Sequence, residues 1–313
     1  NEANIRIVNN TAEGLYTENS LVLVRNVYIE ENTPDTRTQD NPIITNIHSK
    51  CQFIQESPPN TTDPGLRITR NYMKNIDSEV YIKNHFILYN NIFDPNVGIE
   101  RYIIVHKTGR LYIQDSVFQS NQDFEDPLIE NGIIYFENGV MYSDTNIIQN
   151  LAQSVLINGI VINSAKLLLK DDGDIFTDPT FTLGISGFKN GILATNTSIQ
   201  TTRGDSSGNL PIDIHSNENG LTLQSCTVDI SQEAPITGLN NEYGLVAIKN
   251  CNIAGLIDPV SNGLNGGIAP YQVPSSSIAG TIGLGQFAFV NLNVYCVSAG
   301  GINQTEPNVI LLN

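Results

Sequence analysis

Tryptophan is absent from this chain of 313 residues, and there are only two methionines and four cysteines. Basic side chains are also scarce. Sixteen Lys and Arg stand against 32 Asp and Glu, for a formal net charge of −16. With no basic stripe to neutralise phosphates, nucleic acid and anionic membrane surfaces are not expected as partners. No apolar run approaches the ~20 residues of a membrane-spanning helix. Cys51, Cys226, Cys251 and Cys296 fit no zinc-binding spacing. No Gly-rich phosphate loop or Ser-His-Asp order stands out. The start, NEANIRIVNN, has neither a Met nor a signal-like segment. A mature product or part of a longer protein is therefore expected.

Asn, Ile and Thr are abundant instead, a β-rich and turn-rich composition. The informative stretch is Gly220 to Ile230, GLTLQSCTVDI. Its apolar positions are Leu221, Leu223, Cys226 and Val228. Side chains on one strand alternate faces with period two, so the odd step of three demands a corner between two short strands. The same figure recurs at Val22-Val24-Val27-Ile29, Phe86-Leu88-Asn91-Phe93 and Leu111-Ile113-Ser116-Phe118. It recurs again at Val140-Tyr142-Thr145-Ile147, Ile160-Ile162-Ala165-Leu167, Ile192-Ala194-Thr197-Ile199, Val246-Ile248-Cys251-Ile253 and Phe287-Phe289-Leu292-Val294. Weaker copies begin at Asn46 and Leu66. Most starts lie roughly 20 to 32 residues apart, a solenoid period.

Two features support this register. The corner position reads Asn26, Asn90, Asp115, Asp144, Asn196, Asn250 and Asn291, with Ser164 and Ser225 in two copies. Asn and Asp tolerate the left-handed backbone that such a bend needs. The residue after the corner is small, as in Ser116, Ala165, Thr197 and Cys226, which suits a tight bend. Asn138-Gly139, Asn158-Gly159, Asn190-Gly191 and Asn219-Gly220 each precede a repeat and read as turns. Cys226 and Cys251 occupy equivalent sites; the favoured reading is free inward-facing thiols, the other a disulfide between stacked coils.

These phased coils resemble a right-handed parallel β-helix of the pectate-lyase-like and phage-tailspike type. The resemblance spans roughly Leu21 to Val294. It implies an all-β single solenoid of about ten to eleven coils with loop excursions. The expected division is a lead-in at 1–20, the β-helix at 21–255, a Gly/Pro/Ser-rich excursion at 256–286, and a last coil with C-terminal cap at 287–313. The fold carries lyases, hydrolases, adhesins and inert virion parts, so function must come from the residues.

Candidate chemistry is sparse. Asp171, Asp172, Asp174 and Asp178 crowd one loop. They read either as a Ca²⁺ site or acid pair, or as a solvated turn-rich loop, the plainer reading. Asp115 and Asp144 fall on the same repeat position, which would stack two carboxylates, although corner geometry already explains them. The hydrolases of this fold carry paired Asp motifs, Gly-His-Gly and Arg-Ile-Lys; His48, His85, His106 and His215 sit in no Gly-His-Gly, and Arg-Ile-Lys is missing. His215 reads as an ordinary histidine rather than a base. Less expected is the position after each repeat start, which should face out yet reads Ile87, Tyr112, Met141, Val161 and Leu193. An outward apolar stripe of that length calls for a cover, either the 256–286 arm or a neighbouring subunit.

The expectation is a structural or attachment module of a larger assembly, a virion protein (tailspike-like or capsid-associated) or another extracellular surface protein. Other copies or assembly neighbours would be its partners, with no cofactor. One alternative is a polysaccharide lyase or glycoside hydrolase using Asp171, Asp172 and Asp174. Another is a non-catalytic glycan binder using Tyr112 and its neighbours as a platform.

Overall fold

The computed structural model describes residues 6–8, 15–25, 28–30, 42–55, 72–89, 101–120, 131–144, 146–151, 158–171, 184–203, 212–230, 236–237, 246–249, 252–255, 268–272, 287–288 and 293–295. Every regular element among them is a β-strand. These residues form an all-β parallel solenoid with about four turns in its central part. Each turn presents strands to three sheets, and each strand pairs in parallel with its equivalent one turn on.

The first sheet runs through Leu15–Glu18, Ile44–Ile47 and the first halves of Met73–Lys83, Arg101–Gln114 and Asn131–Asp144. It continues through Asn158–Asn163, Asn190–Thr195 and Asn219–Gln224. The second sheet takes Leu21–Arg25, Lys50–Ile54, the second halves of the three long strands, then Lys166–Asp171, Ser198–Arg203 and Thr227–Ile230. The third contains Phe86–Tyr89, Val117–Ser120, Ile147–Asn150, Gly184–Ser186 and Ile212–His215.

The corner between the first two sheets is a stack of left-handed residues: Asn19, His48, Asp77, Thr108, Asn138, Ser164, Asn196 and Ser225, with φ between 46° and 63°. The residue after each is Ser20, Ser49, Ser78, Gly109, Gly139, Ala165, Thr197 or Cys226. Smallness is only half the reason for that choice. The hydroxyls of Ser49, Ser78 and Thr197 and the thiol of Cys226 each donate to the carbonyl two residues back. Ser49 and Ser78 also accept from the backbone N–H of the residue one turn earlier. Side chains thereby satisfy backbone groups that the bend removes from the ladder.

A second corner, between the second and third sheets, uses the same chemistry. Asn84 (φ 60°) and Asp115 (φ 55°) are its left-handed residues, and Ser116 and Asn146 follow the bend. The sequence figure therefore merged two corners. Asp115 belongs to the second, whereas Ser164, Asn196 and Ser225 belong to the first. Ile160 pairs with Ile134 in the first sheet, not with the row of Leu111, whose next neighbour is Met141 and then Leu167.

One repeat is also out of phase by a residue. Met141 pairs with Leu111 and is fully buried in the core, while Val140 and Tyr142 face out. A one-residue slip exchanges the two faces of a strand. Ile87 is likewise a core residue, in a third-sheet row with Phe118, Ile148, Ile185 and Ile214. Ile87 and Met141 are therefore not part of an outward stripe.

The Asn-Gly pairs divide into two classes. Asn138-Gly139 bends the chain with positive φ, as the turn reading expects, and does so at the first corner. Asn158, Asn190 and Asn219 are not turns; each opens a strand. Their side chains form a ladder, Asn190 Nδ2 donating to Asn158 Oδ1 at 2.7 Å and Asn219 Nδ2 to Asn190 Oδ1 at 3.3 Å. The glycines that follow allow close packing: a Cβ on Gly191 would lie 2.6 Å from the Gly220 carbonyl oxygen.

Within the expected 256–286 excursion, Ile268–Gln272 is a strand that pairs in parallel with 246–248. Phe287–Ala288 pairs with its far end antiparallel, whereas Asn293–Tyr295 pairs in parallel with Asn252–Gly255, placing Val294 opposite Ile253 as the repeat expects. Cys251, Cys296 and the apolar tail at 308–312 lie outside the described residues. Cys51 and Cys226 are buried free thiols.

Candidate functional site

The outer face of the second sheet carries the most organised surface chemistry. Parallel pairing places Tyr81, Tyr112 and Tyr142 in one row, because residues equivalent by turn must stack at strand spacing. Tyr112 and Tyr142 lie ring on ring, with centroids 4.4 Å apart and planes within 6°. Tyr81 meets Tyr112 at 6.3 Å, tilted by 59°.

A charged seam runs along each side of the ladder. On one side Lys50 pairs with Glu79 at 3.3 Å, and Arg110, held above its usual pKa first by its hydrogen bond to Tyr112, follows in the row. On the other, Lys83 Nζ approaches Asp115 Oδ2 at 3.6 Å and Lys170 Nζ approaches Asp144 Oδ2 at 3.8 Å. Tyr81 donates to Gln114 Oε1. Burial, then the carboxylates of Asp115 and Asp144, push its phenol pKa up. Asp144 pairs with Gln114, so the two carboxylates are not stacked equivalents as the repeat position suggested. Each carboxylate has its own ammonium partner.

Tyr112 and Tyr142 turn one ring face each toward the other. The ladder thus contributes stability in its own right. Tyr112→Ala is expected to lower stability by about 1–3 kcal/mol, from two ring contacts and lost burial, read as a lower denaturant midpoint at unchanged fold.

Val161 and Leu193 do face away from the main core, on the first sheet. They join a separate apolar cluster with Tyr72, Tyr102, Val105 and Tyr135. Val161 is only 3% exposed in the single chain, so the chain itself covers it and no neighbouring subunit is needed there. The outward row is thus short, and of the five residues expected in it only Tyr112, Val161 and Leu193 face out, on two different sheets.

The interior holds a feature the sequence reading missed. Thr17, Asn46, Asn75 and His106 form one inward row, continued by Phe136 and Ile162. Thr17 Oγ1 donates to Asn46 Oδ1, and Asn46 Nδ2 donates to Asn75 Oδ1, both at 2.7 Å. The Cys51 thiol donates to Asn46 Oδ1 at 3.1 Å, and burial pushes its pKa up. His106 stacks on Phe136 at 5.0 Å and is fully buried. Burial lowers its pKa to about 3, and that of His85 to about 4. The signal was present in Ile104-Val105-His106, where the alternation puts the histidine on the inward parity of Ile104. His215 is half-buried against Asp213 at 3.1 Å, which raises its pKa.

Asp171 ends a second-sheet strand opposite Arg203, and Asp172, Asp174 and Asp178 lie outside the described residues. Among the described residues no three His, Cys, Asp or Glu side chains gather as metal ligands would. No family model, curated protein or solved structure matches the chain.

Proposed function

We propose that the protein is a structural or attachment module of a larger assembly, a tailspike-like or capsid-associated virion component or another extracellular surface protein. In this reading the solenoid is right-handed and extends over about ten to eleven coils, of which the parallel pairings from Leu15–Glu18 to Ile268–Gln272 are the supporting trace. Other copies of the chain or assembly neighbours are its partners.

The observation that carries this reading is the first described turn. Leu21 is 81% exposed, Leu23 54% and Tyr16 51%. All three sit on strands that, among the described strands, pair on one side only. Large apolar side chains beside a strand edge favour association with another chain.

Light scattering of the native protein, beside a Leu21→Asp/Leu23→Asp double variant, tests this. The wild type is expected to run as an oligomer with a concentration-dependent Tm, and the variant as a folded monomer whose Tm no longer depends on concentration. A wild-type monomer at the same concentration would remove the support.

A further inference from the structure

We propose that Asn138 is a site of spontaneous amide-to-acid conversion, set apart by the fold from the Asn-Gly pairs at 158, 190 and 219. The dipeptide occurs at 131, 138, 158, 190, 219, 262 and 265. Sequence chemistry alone makes all of them candidates, since glycine leaves the following backbone nitrogen unhindered.

The pairs at 138, 158, 190 and 219 differ in two ways. Asn158 and Asn190 are buried, their amides joined in the ladder, and Asn219 donates into the same ladder. Asn138, by contrast, is exposed at the corner, with φ 54°. The second difference concerns the attacking atom. At this corner Ser20 and Ser49 have their N–H capped by the hydroxyl one turn on. The residue one turn on from Gly139 is Ala165, which has no side-chain oxygen. The Gly139 nitrogen therefore lacks that cap.

In the reaction the Gly139 backbone nitrogen attacks Cγ of the Asn138 amide. The Cγ–Nδ2 bond breaks, and ammonia leaves carrying the proton that Gly139 gives up. Water then opens the cyclic imide at either carbonyl, restoring the N–H and leaving an aspartyl or isoaspartyl residue. No oxidant or cofactor enters. The isoaspartyl product lengthens the main chain where Gly139 packs so closely on Gly109 that a Cβ would lie 2.1 Å from its carbonyl oxygen. Conversion therefore loosens a central turn.

The test is incubation of the folded protein at mildly alkaline pH, with peptide mapping by mass spectrometry. A denatured control and an Asn138→Ser variant run beside it; Ser164 and Ser225 hold the same corner site, so serine is accommodated there. In the folded protein Asn138 is expected to convert at least about tenfold faster than Asn158, Asn190 and Asn219, whose reaction waits on local opening. In denaturant the four rates should converge, and the variant should lack the corresponding acidic species. Equal rates at the four sites in the folded protein, or a slower rate at Asn138, would overturn the proposal.

Discussion

Lowering the pH from 7 to 5 is expected to remove about 2–4 kcal/mol of stability, well before most carboxylates take up protons. The source is two histidines in the solenoid interior. His106 has Asn75 on one side and Phe136 on the other, and no charged group reaches it from either strand. Neither ring nitrogen makes a well-formed hydrogen bond to a side chain, and the backbone at Ser78 and Thr108 offsets burial only in part. His85 is fully buried too, with burial dominant and only the backbone at Phe53 opposing it.

Both folded-state pKa values are depressed, to about 3 and about 4, against the usual 6.5. Between those limits the unfolded chain binds protons that the folded chain does not. Stability is therefore fully present above pH 6.5 and falls as the pH drops toward 4. His215 works in the opposite direction. Asp213 raises its pKa, so its contribution grows on acidification, but the pair is too exposed to compensate. Urea midpoints at pH 7 and pH 5, for the wild type and for His106→Leu, give the check. The wild type should lose markedly more than the variant on acidification. Parallel losses would show that His106 does not carry the effect.

The coil was legible because its cause is local. Leu221-Leu223-Cys226-Val228 cannot be read on one strand, and the left-handed residue before Cys226 is where the odd step requires it. What misled the reading was chemical degeneracy. Both corners of a turn use Asn, Asp or Ser in most copies, and several of these are followed by Ser, Thr or Cys. Asp115 and Ser164 thus looked equivalent although they bend different sheets. Asn-Gly misled for a related reason. At 138 the pair supplies a left-handed corner, while at 158, 190 and 219 the asparagine supplies a ladder amide and the glycine supplies space. Only contacts one turn away distinguish these roles. The outward stripe failed on parity: a single-residue slip at Val140 sent Met141 to the wrong face. The tyrosine ladder is half visible in the sequence: Tyr112 stands in the outward row, the phase of Val140 places Tyr142 inward, and Tyr81 falls in no repeat.

The first corner offers the sharpest test of this account, because neighbouring positions should respond with opposite sign. Thr108 holds φ 63°, a conformation that costs a β-branched residue roughly 1–2 kcal/mol. Thr108→Asn, the residue found there at 19, 138 and 196, is expected to stabilise by about 0.5–1 kcal/mol. Gly109, next in the chain, holds φ 115°, and a Cβ there would lie 2.2 Å from the Ser78 carbonyl oxygen. That oxygen is backbone of a paired strand and cannot swing aside. Gly109→Ala must therefore either part the long strands Met73–Lys83 and Arg101–Gln114 at their shared corner or rotate the bend, at a cost of about 3–5 kcal/mol. Denaturant midpoints of the two variants decide the matter. A gain at 108 with a large loss at 109 fits a corner whose left-handed geometry is imposed by the stack. Tolerance of alanine at 109 would mean that the corner relaxes freely, and a loss at 108 would mean that the Thr side chain contributes more than its strain costs.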